Sequence, residues 1–193
     1  MENIAFVLGN GRSRLELDLL LLKEIGTVYG CNALYREFTP HVLVSTDPGI
    51  SEEIQNSGYA KNHIHYTRKP IPGKGSRRID RNFGFSSGPI ALTYAAMSSV
   101  ERIYFVGFDL VGIGGKINNI YADTLHYKTS QDKETFYGNW VTQILSVIKT
   151  NPTKQFIRIL PDSGVTPDGW KQDNYNDMPL VDFLVWINKL NPR

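Results

Sequence analysis

The sequence predicts an α/β protein, a mostly parallel sheet with helices on both faces. Three observations lead there. Six short apolar stretches, rich in β-branched and aromatic residues, are spread along the 193 residues. Helical patterns separate most of them, and polar or glycine residues follow their ends. Strands alternating with helices form parallel sheets, because each crossover must return to the same edge of the sheet.

Ile4 to Leu8 is the first stretch, and it runs into Gly9-Asn10-Gly11, then Arg12-Ser13. A leucine-rich segment, Leu15 to Ile25, is predicted as the following helix. Such a unit suits a phosphate: glycines admit a close backbone approach, and a helix start offers N–H groups and a positive dipole end. The spacing is not G-x-G-x-x-G, since Arg14 stands at the third glycine position, and no Gly-Lys-Ser/Thr of a P-loop follows. The unit is a nucleotide-site candidate of unspecified type, or a plain tight turn.

Thr27 to Cys31 reads as a second strand ending at Asn32, and His41 to Thr46 as a third, closed by Asp47-Pro48-Gly49. Pro48 starts a helix predicted from about Ile50 to Ala60. His63 to Arg68 alternates in β fashion. His63 and His65 share one face of it, but no third metal ligand is in view.

Pro70 to Phe85 breaks the pattern with two prolines, three glycines and a basic run that includes Lys74, Arg77, Arg78 and Arg81. A stretch this long without periodicity is expected to be a flexible loop, and its cations suit an anionic ligand as well as plain solvation. Ser86-Ser87-Gly88-Pro89 opens the clearest helix, with serine as cap and Pro89 in the first turn. Arg102 to Phe108 is an apolar strand ending at Asp109. Residues 111–135 follow as a glycine-rich, polar stretch holding Tyr121, Asp123, His126 and Tyr127.

Phe136 to Lys149 fits a helix with Trp140, Ile144, Val147 and Ile148 on one face. Gln155 to Leu160 is the last strand, 162–177 is turn-rich, and Pro179 to Leu190 is an amphipathic terminal helix. The whole is expected to be a single Rossmann-like domain over 1–193.

Composition narrows the function. Apolar content of 41%, charged content of 21% and a net charge of +2 are those of an ordinary globular domain with no general attraction for nucleic acid or membranes. The one cysteine, Cys31, excludes an internal disulfide and a cysteine-rich zinc site. No apolar run approaches the roughly 18 residues of a membrane span. The first residues lack a basic segment followed by an apolar one, so a cytoplasmic location is expected.

In doubly wound sheets a ligand lies beyond the carboxyl ends of the strands. Asn10, Asn32, Asp47 and Asp109 all follow predicted strands, and Ser87 opens a helix. Their joint placement points to one nucleotide site.

The ordered set GNG-x-S (Gly9 to Ser13), C-N-x-x-Y (Cys31 to Tyr35), D-P-G (Asp47 to Gly49), S-S-G (Ser86 to Gly88) and V-G-F-D (Val106 to Asp109) resembles the small bacterial sialyltransferases of glycosyltransferase family 42. It also resembles the motility-associated-factor glycosyltransferases and the archaeal-type 6-hydroxymethylpterin diphosphokinases. The resemblance covers about residues 4 to 160. It implies that Asn10, Asn32, Asp47 and Ser87 hold CMP, and Gly9, Gly11, Ser13, Gly88 and Asp109 complete the expected nucleotide site. Asp47 departs from the family's asparagine, and Ser86 from its threonine.

The resemblance also implies a histidine general base and two tyrosines on the leaving phosphate. His126 and Tyr121 match, with Tyr127 beside them. The second family tyrosine falls near Val111 and is absent, and the family's base is the second histidine of His-Tyr-x-x-His, where this chain has Ser130. So the binding half of the site looks retained and the lid over 111–135 reduced.

No Asp-x-Asp metal motif is present, so tyrosines, helix N-termini and arginines such as Arg12 are the groups left to neutralise a leaving phosphate. The expectation is a metal-independent glycosyltransferase using a nucleotide sugar, CMP-linked, with no resident cofactor and an unknown acceptor. Two alternatives stand beside it. One is a nucleotide-binding protein without transferase activity. The other is pyrophosphoryl transfer from ATP, with Mg²⁺ on carboxylates such as Asp47, Asp109 or Asp123.

Overall fold

The computed structural model describes residues 3–80, 84–161 and 164–190. Five helices and eight strands run along it: β1 Ile4–Leu8, α1 Leu19–Ile25, β2 Thr27–Cys31, β3 Val42–Ser45, α2 Pro48–Asn56, β4 Ile64–Thr67, β5 Arg77–Arg78, α3 Ser87–Met97, β6 Arg102–Val106, α4 Gly138–Thr150, β7 Gln155–Leu160, β8 Tyr175–Pro179 and α5 Leu180–Leu190. The strands form one sheet in the order β5-β4-β3-β2-β1-β6-β7-β8. Every described pairing is parallel. The chain starts in the middle, winds out to β5, then returns to lay β6 against β1. The topological switch therefore lies between β1 and β6, where such folds leave a crevice.

Period-two alternation sends neighbouring residues of β1 to opposite cores. Ile4, Phe6 and Leu8 join α1, α2 and α5 on one face, with Phe183 and Ile187 among them. Ala5 and Val7 join α3 and α4 on the other, with Phe105, Phe156 and the fully buried Trp170. Sandwiched on both sides, the central strands carry near-continuous apolar runs, the pattern that marked them in the sequence.

Four elements differ from the sequence expectation. The leucine-rich helix begins at Leu19 and not at Leu15, because Asp18 Oδ1 accepts from the amides of Leu20 and Leu21 and fixes the start there. Arg12–Glu16 forms a separate 3-10 turn ahead of it. The helix expected to reach Ala60 stops at Asn56, and Gly58 in the left-handed region turns the chain away. Finally, β5 and β8 were not expected as strands.

The basic segment is also more ordered than its composition implied. His65 is fully buried on β4, with Nε2 2.7 Å from Ser45 Oγ and Nδ1 2.8 Å from Ser76 Oγ. Gln55 accepts from the Ile71 amide and donates to the Lys69 carbonyl. Together with the β4–β5 pairing, these bonds strap residues 69–78 along the sheet edge. Arg81, the last basic residue expected there, lies outside the described residues. The two strand histidines form no metal pair: His65 is held by serines, and His63 packs on the Tyr59 ring at 4.7 Å.

Candidate functional site

A cleft of about 320 Å³ opens at the carboxyl ends of β1, β2, β3 and β6, within the size range of small-molecule sites. Of the expected nucleotide residues, Gly9, Asn10, Gly11, Asn32, Asp47, Ser87, Gly88 and Asp109 line it. His126 and Tyr127 line it as well. Two expected residues, Ser13 and Tyr121, do not.

The floor of the cleft is a pair of interlocked turns. The Gly9 amide donates to the Val106 carbonyl at 2.8 Å, and the Gly11 amide to the Gly107 carbonyl at 2.9 Å. Ser13 sits behind this junction, where its amide and hydroxyl both donate to Asp109 and its Oγ accepts from the Gly107 amide. Asn118 Nδ2 donates to the same carboxylate at 3.0 Å, so Asp109 is tied into the wall by three donors. The Arg12 amide is taken by Asn118 Oδ1. The glycine turn therefore spends these N–H groups inside the protein, and a 3-10 turn, not an α-helix, follows it. A phosphate on the turn's own helix, as the sequence implied, has no basis here.

A buried cation braces the same wall. Arg158 is fully buried and donates to the carbonyls of Phe108, Asp109 and Val165. Carbonyl oxygens solvate the guanidinium and hold the residues after β6 in one conformation.

Helix α3 also begins at the cleft. Ser86 takes its cap position, yet its hydroxyl accepts from Trp140 Nε1 at 3.0 Å and caps no helix amide. The Ser87 hydroxyl, 2 % exposed, accepts from the Thr46 amide and lies 2.9 Å from Thr46 Oγ1. It locks α3 to the end of β3. Gly88 lets Phe108 approach, because a Cβ there would lie 2.9 Å from the ring.

Asn32 stands out at the end of β2. Its backbone is left-handed, with φ at 52°. Its Nδ2 donates to Asp47 at 3.3 Å, while its buried Oδ1 has no hydrogen-bond partner. Buried polar atoms without partners are rare and call for an explanation. Leu110 and His126, also left-handed with φ at 56° and 71°, line the same cleft. Strained backbone gathers at sites that use it.

Beside Asn32, Cys31 is buried with its thiol donating toward the Leu8 carbonyl. Burial pushes its pKa up to about 12, which leaves it an unreactive thiol.

His126 closes one end. Its Nε2 is 3.3 Å from Glu53 Oε2, and Glu53 is in turn held by Arg36 at 2.7 Å. Arg36 also donates to Thr124 Oγ1 and the Leu125 carbonyl, fastening the loop that carries His126. Arg36 holds the Glu53 carboxyl below its usual pKa, so Glu53 faces the imidazole as an anion. Next in sequence, Tyr127 accepts from the Ala33 amide at 3.1 Å, and burial raises its pKa.

Tyr121 requires a correction. It is buried away from the cleft, where its hydroxyl accepts from Arg14 Nη2 at 2.9 Å and donates to Glu37. The reason is local: the segment after β6 folds Ile120 back so that its amide meets the Asn10 carbonyl, and the next side chain enters the core.

Sequence reasoning missed Lys128, Asn118 and Trp140, which all line the cleft. Lys128 directly follows the His-Tyr pair and was visible on that ground. Trp140 was assigned to the apolar stripe of α4, but only Ile144, Val147 and Ile148 of that stripe are buried. At the helix start the stripe runs out over the cleft, leaving Trp140 36 % exposed. Asn118 carried no signal in the sequence. Arg12, Arg77 and Arg78 are exposed and do not line the cleft.

Among the described residues, no group of three or more His, Cys, Asp or Glu side chains is arranged to hold a metal ion, and no helix is long and apolar enough to cross a membrane. No protein-family model matches the chain, and no curated protein matches it in sequence. One solved structure shares the fold: the crystal structure of an alpha-2,3-sialyltransferase from Campylobacter jejuni in apo form superposes with a TM-score of 0.54 over 94% of this chain and 82% of that one, at 11% identity. At that identity the likeness is one of fold, and this chain has the α/β, Rossmann-like architecture of that transferase.

Proposed function

We propose that the chain is a metal-independent glycosyltransferase whose cleft binds a nucleotide sugar, CMP-linked. The observation that carries this reading is Asn32: a buried side-chain oxygen without a partner, on a strained backbone, in a residue that lines the cleft with Asn10, Asp47 and the start of α3. An acceptor oxygen beside a carboxylate suits the hydroxyls of a ribose or the amine of a base. The fold held in common with a sialyltransferase supports the same reading.

In this reading His126 is the general base. With a proton on Nε2 donated to Glu53, the lone pair lies on Nδ1. That nitrogen lies against Gly49, where a Cβ would stand 2.5 Å from it, so only a residue without a side chain leaves room beside the ring. The acceptor hydroxyl gives its proton to Nδ1 as its oxygen attacks the anomeric carbon. The bond to the nucleotide phosphate breaks, and its electron pair leaves with the phosphate. The ATP alternative is disfavoured by Asp109, whose oxygens already accept from Ser13 and Asn118 and are poorly placed to share Mg²⁺. The non-catalytic alternative draws support from Tyr127, whose hydroxyl is engaged by a backbone amide.

The test incubates the protein with CMP-, UDP- and GDP-sugars in EDTA and measures nucleotide release, with CMP affinity read by calorimetry. Release from a CMP-sugar, reduced about 100-fold or more in His126→Ala at unchanged CMP affinity, is the expected result. CMP binding without release by the wild type selects the non-catalytic alternative. Binding of ATP alone, and only with Mg²⁺, selects the diphosphokinase-like one.

A further inference from the structure

A leaving phosphate needs positive charge, and the structure removes most of the groups the sequence offered for it. Tyr121 is buried against Arg14 and Glu37. Tyr127 accepts from the Ala33 amide, which leaves a neutral O–H donor and no positive charge. Arg12, Arg77 and Arg78 lie outside the cleft. Three carboxylates, Asp47, Asp109 and Glu134, line it, which makes an unassisted phosphate still more costly to seat.

We propose that Lys128 is the residue that binds the phosphate of the nucleotide donor, in the cleft that the first turn of α3 also lines. This rests on the reading that the cleft takes a nucleotide sugar. Among the described residues lining the cleft, Lys128 is the one lysine or arginine. Its ammonium makes no ion pair or hydrogen bond to any described residue. The carboxylates nearby are otherwise engaged: Asp109 by Ser13 and Asn118, Glu134 by the Gly112 amide, and Asp47 by Asn32.

The backbone around Lys128 is fixed on both sides. Its carbonyl accepts from the Asp123 amide at 3.1 Å, and Asp123 Oδ1 accepts from the Ser130 amide. Tyr127 is pinned to Ala33, and His126 to Glu53. A flexible side chain therefore springs from a rigid base, two residues from the proposed general base. In the first turn of the 11-residue α3, which lines the same cleft, the Ser87 and Gly88 amides have no partners within the helix and share the load. A lysine there meets the phosphate as a point charge, without the fixed fork of an arginine.

The experiment compares CMP with cytidine, which lacks the phosphate, by calorimetry on the wild type, Lys128→Gln and Lys128→Arg. The expected result is a CMP affinity about 10-fold weaker in Lys128→Gln, mostly restored in Lys128→Arg, with cytidine affinity the same in all three. Equal CMP affinities in wild type and Lys128→Gln overturn the assignment while leaving the donor reading intact. Equal losses for CMP and cytidine also overturn it, because the lysine then touches the nucleoside or its support. A wild type that binds neither compound overturns the donor reading and this assignment together.

Discussion

Gly9 and Gly107 cross with their backbones in contact. A Cβ on Gly107 would stand 2.7 Å from the Gly9 carbonyl oxygen, and one on Gly9 would collide with the Gly107 carbonyl. Gly107 also sits at φ 75°, which side chains rarely adopt. The glycines of the first turn thus serve a strand-end junction that shapes the cleft floor. Gly9→Ala forces that junction apart and is expected to cost about 2–3 kcal/mol, read as a lower urea midpoint at unchanged slope. A midpoint within error of the wild type would show that the turns separate freely.

Tyr121 gives the converse prediction. Its hydroxyl bridges Arg14 and Glu37 inside the fold. Tyr121→Phe leaves a donor of the nearly buried Arg14 short of a partner, and about 1–2 kcal/mol of stability is lost. CMP affinity stays at the wild-type value. A variant of full stability that fails to bind CMP would return Tyr121 to the site.

The strap at the sheet edge carries a pH signature. Burial lowers the His65 pKa from an ordinary 6.5 to about 4. Above pH 6.5 the ring is neutral in both folded and unfolded chains and contributes no pH dependence. Below it the unfolded chain takes up the proton first, so stability falls as pH drops toward 4, by about 3 kcal/mol in all. His65→Gln removes this component. Urea unfolding of both proteins at pH 7 and pH 4 gives a smaller loss for the variant, whereas equal losses would mean that His65 titrates alike in both states.

Glu53 is predicted to position His126 without touching substrate. Glu53→Gln keeps the shape but removes the anion facing Nε2. The turnover of the proposed transferase falls at least about tenfold, with its KM little changed, because the imidazolium formed in the reaction loses its counter-ion. A variant that only unfolds more easily, with wild-type turnover wherever it is folded, would reduce Glu53 to a fastener for Arg36.

What the sequence made legible follows from where each signal is written. The central strands were readable because burial on both faces demands unbroken apolar runs. The two edge strands were not: β5 is a pair of arginines, and β8 carries Asn176, Asp177 and Pro179. Charged and proline-bearing strands guard sheet edges and lack the usual β signal. Strand-end polar residues announced the cleft, because topology alone brings Asn10, Asn32, Asp47 and Asp109 together. Their duties were hidden, since Ser13, Asp109 and Asn118 meet only in three dimensions. Tyr121 misled for the same reason: a motif fixes which residue is present, while the length of the intervening lid decides which way it points.

The placement of β1 bears on how the molecule assembles. Ala5 pairs with Thr27 on one side and with Ile103 on the other, so β1 gains its second partner only after β2 to β5 and the intervening helices have followed. The β1–β5 half, with α1 and α2, collects its own local contacts meanwhile. The cleft floor, which needs Gly9 against Gly107, closes late. Long sequence separation of such contacts slows folding, so refolding is limited by the docking of β6. The cleft is thereby the seam at which the two halves of the chain meet.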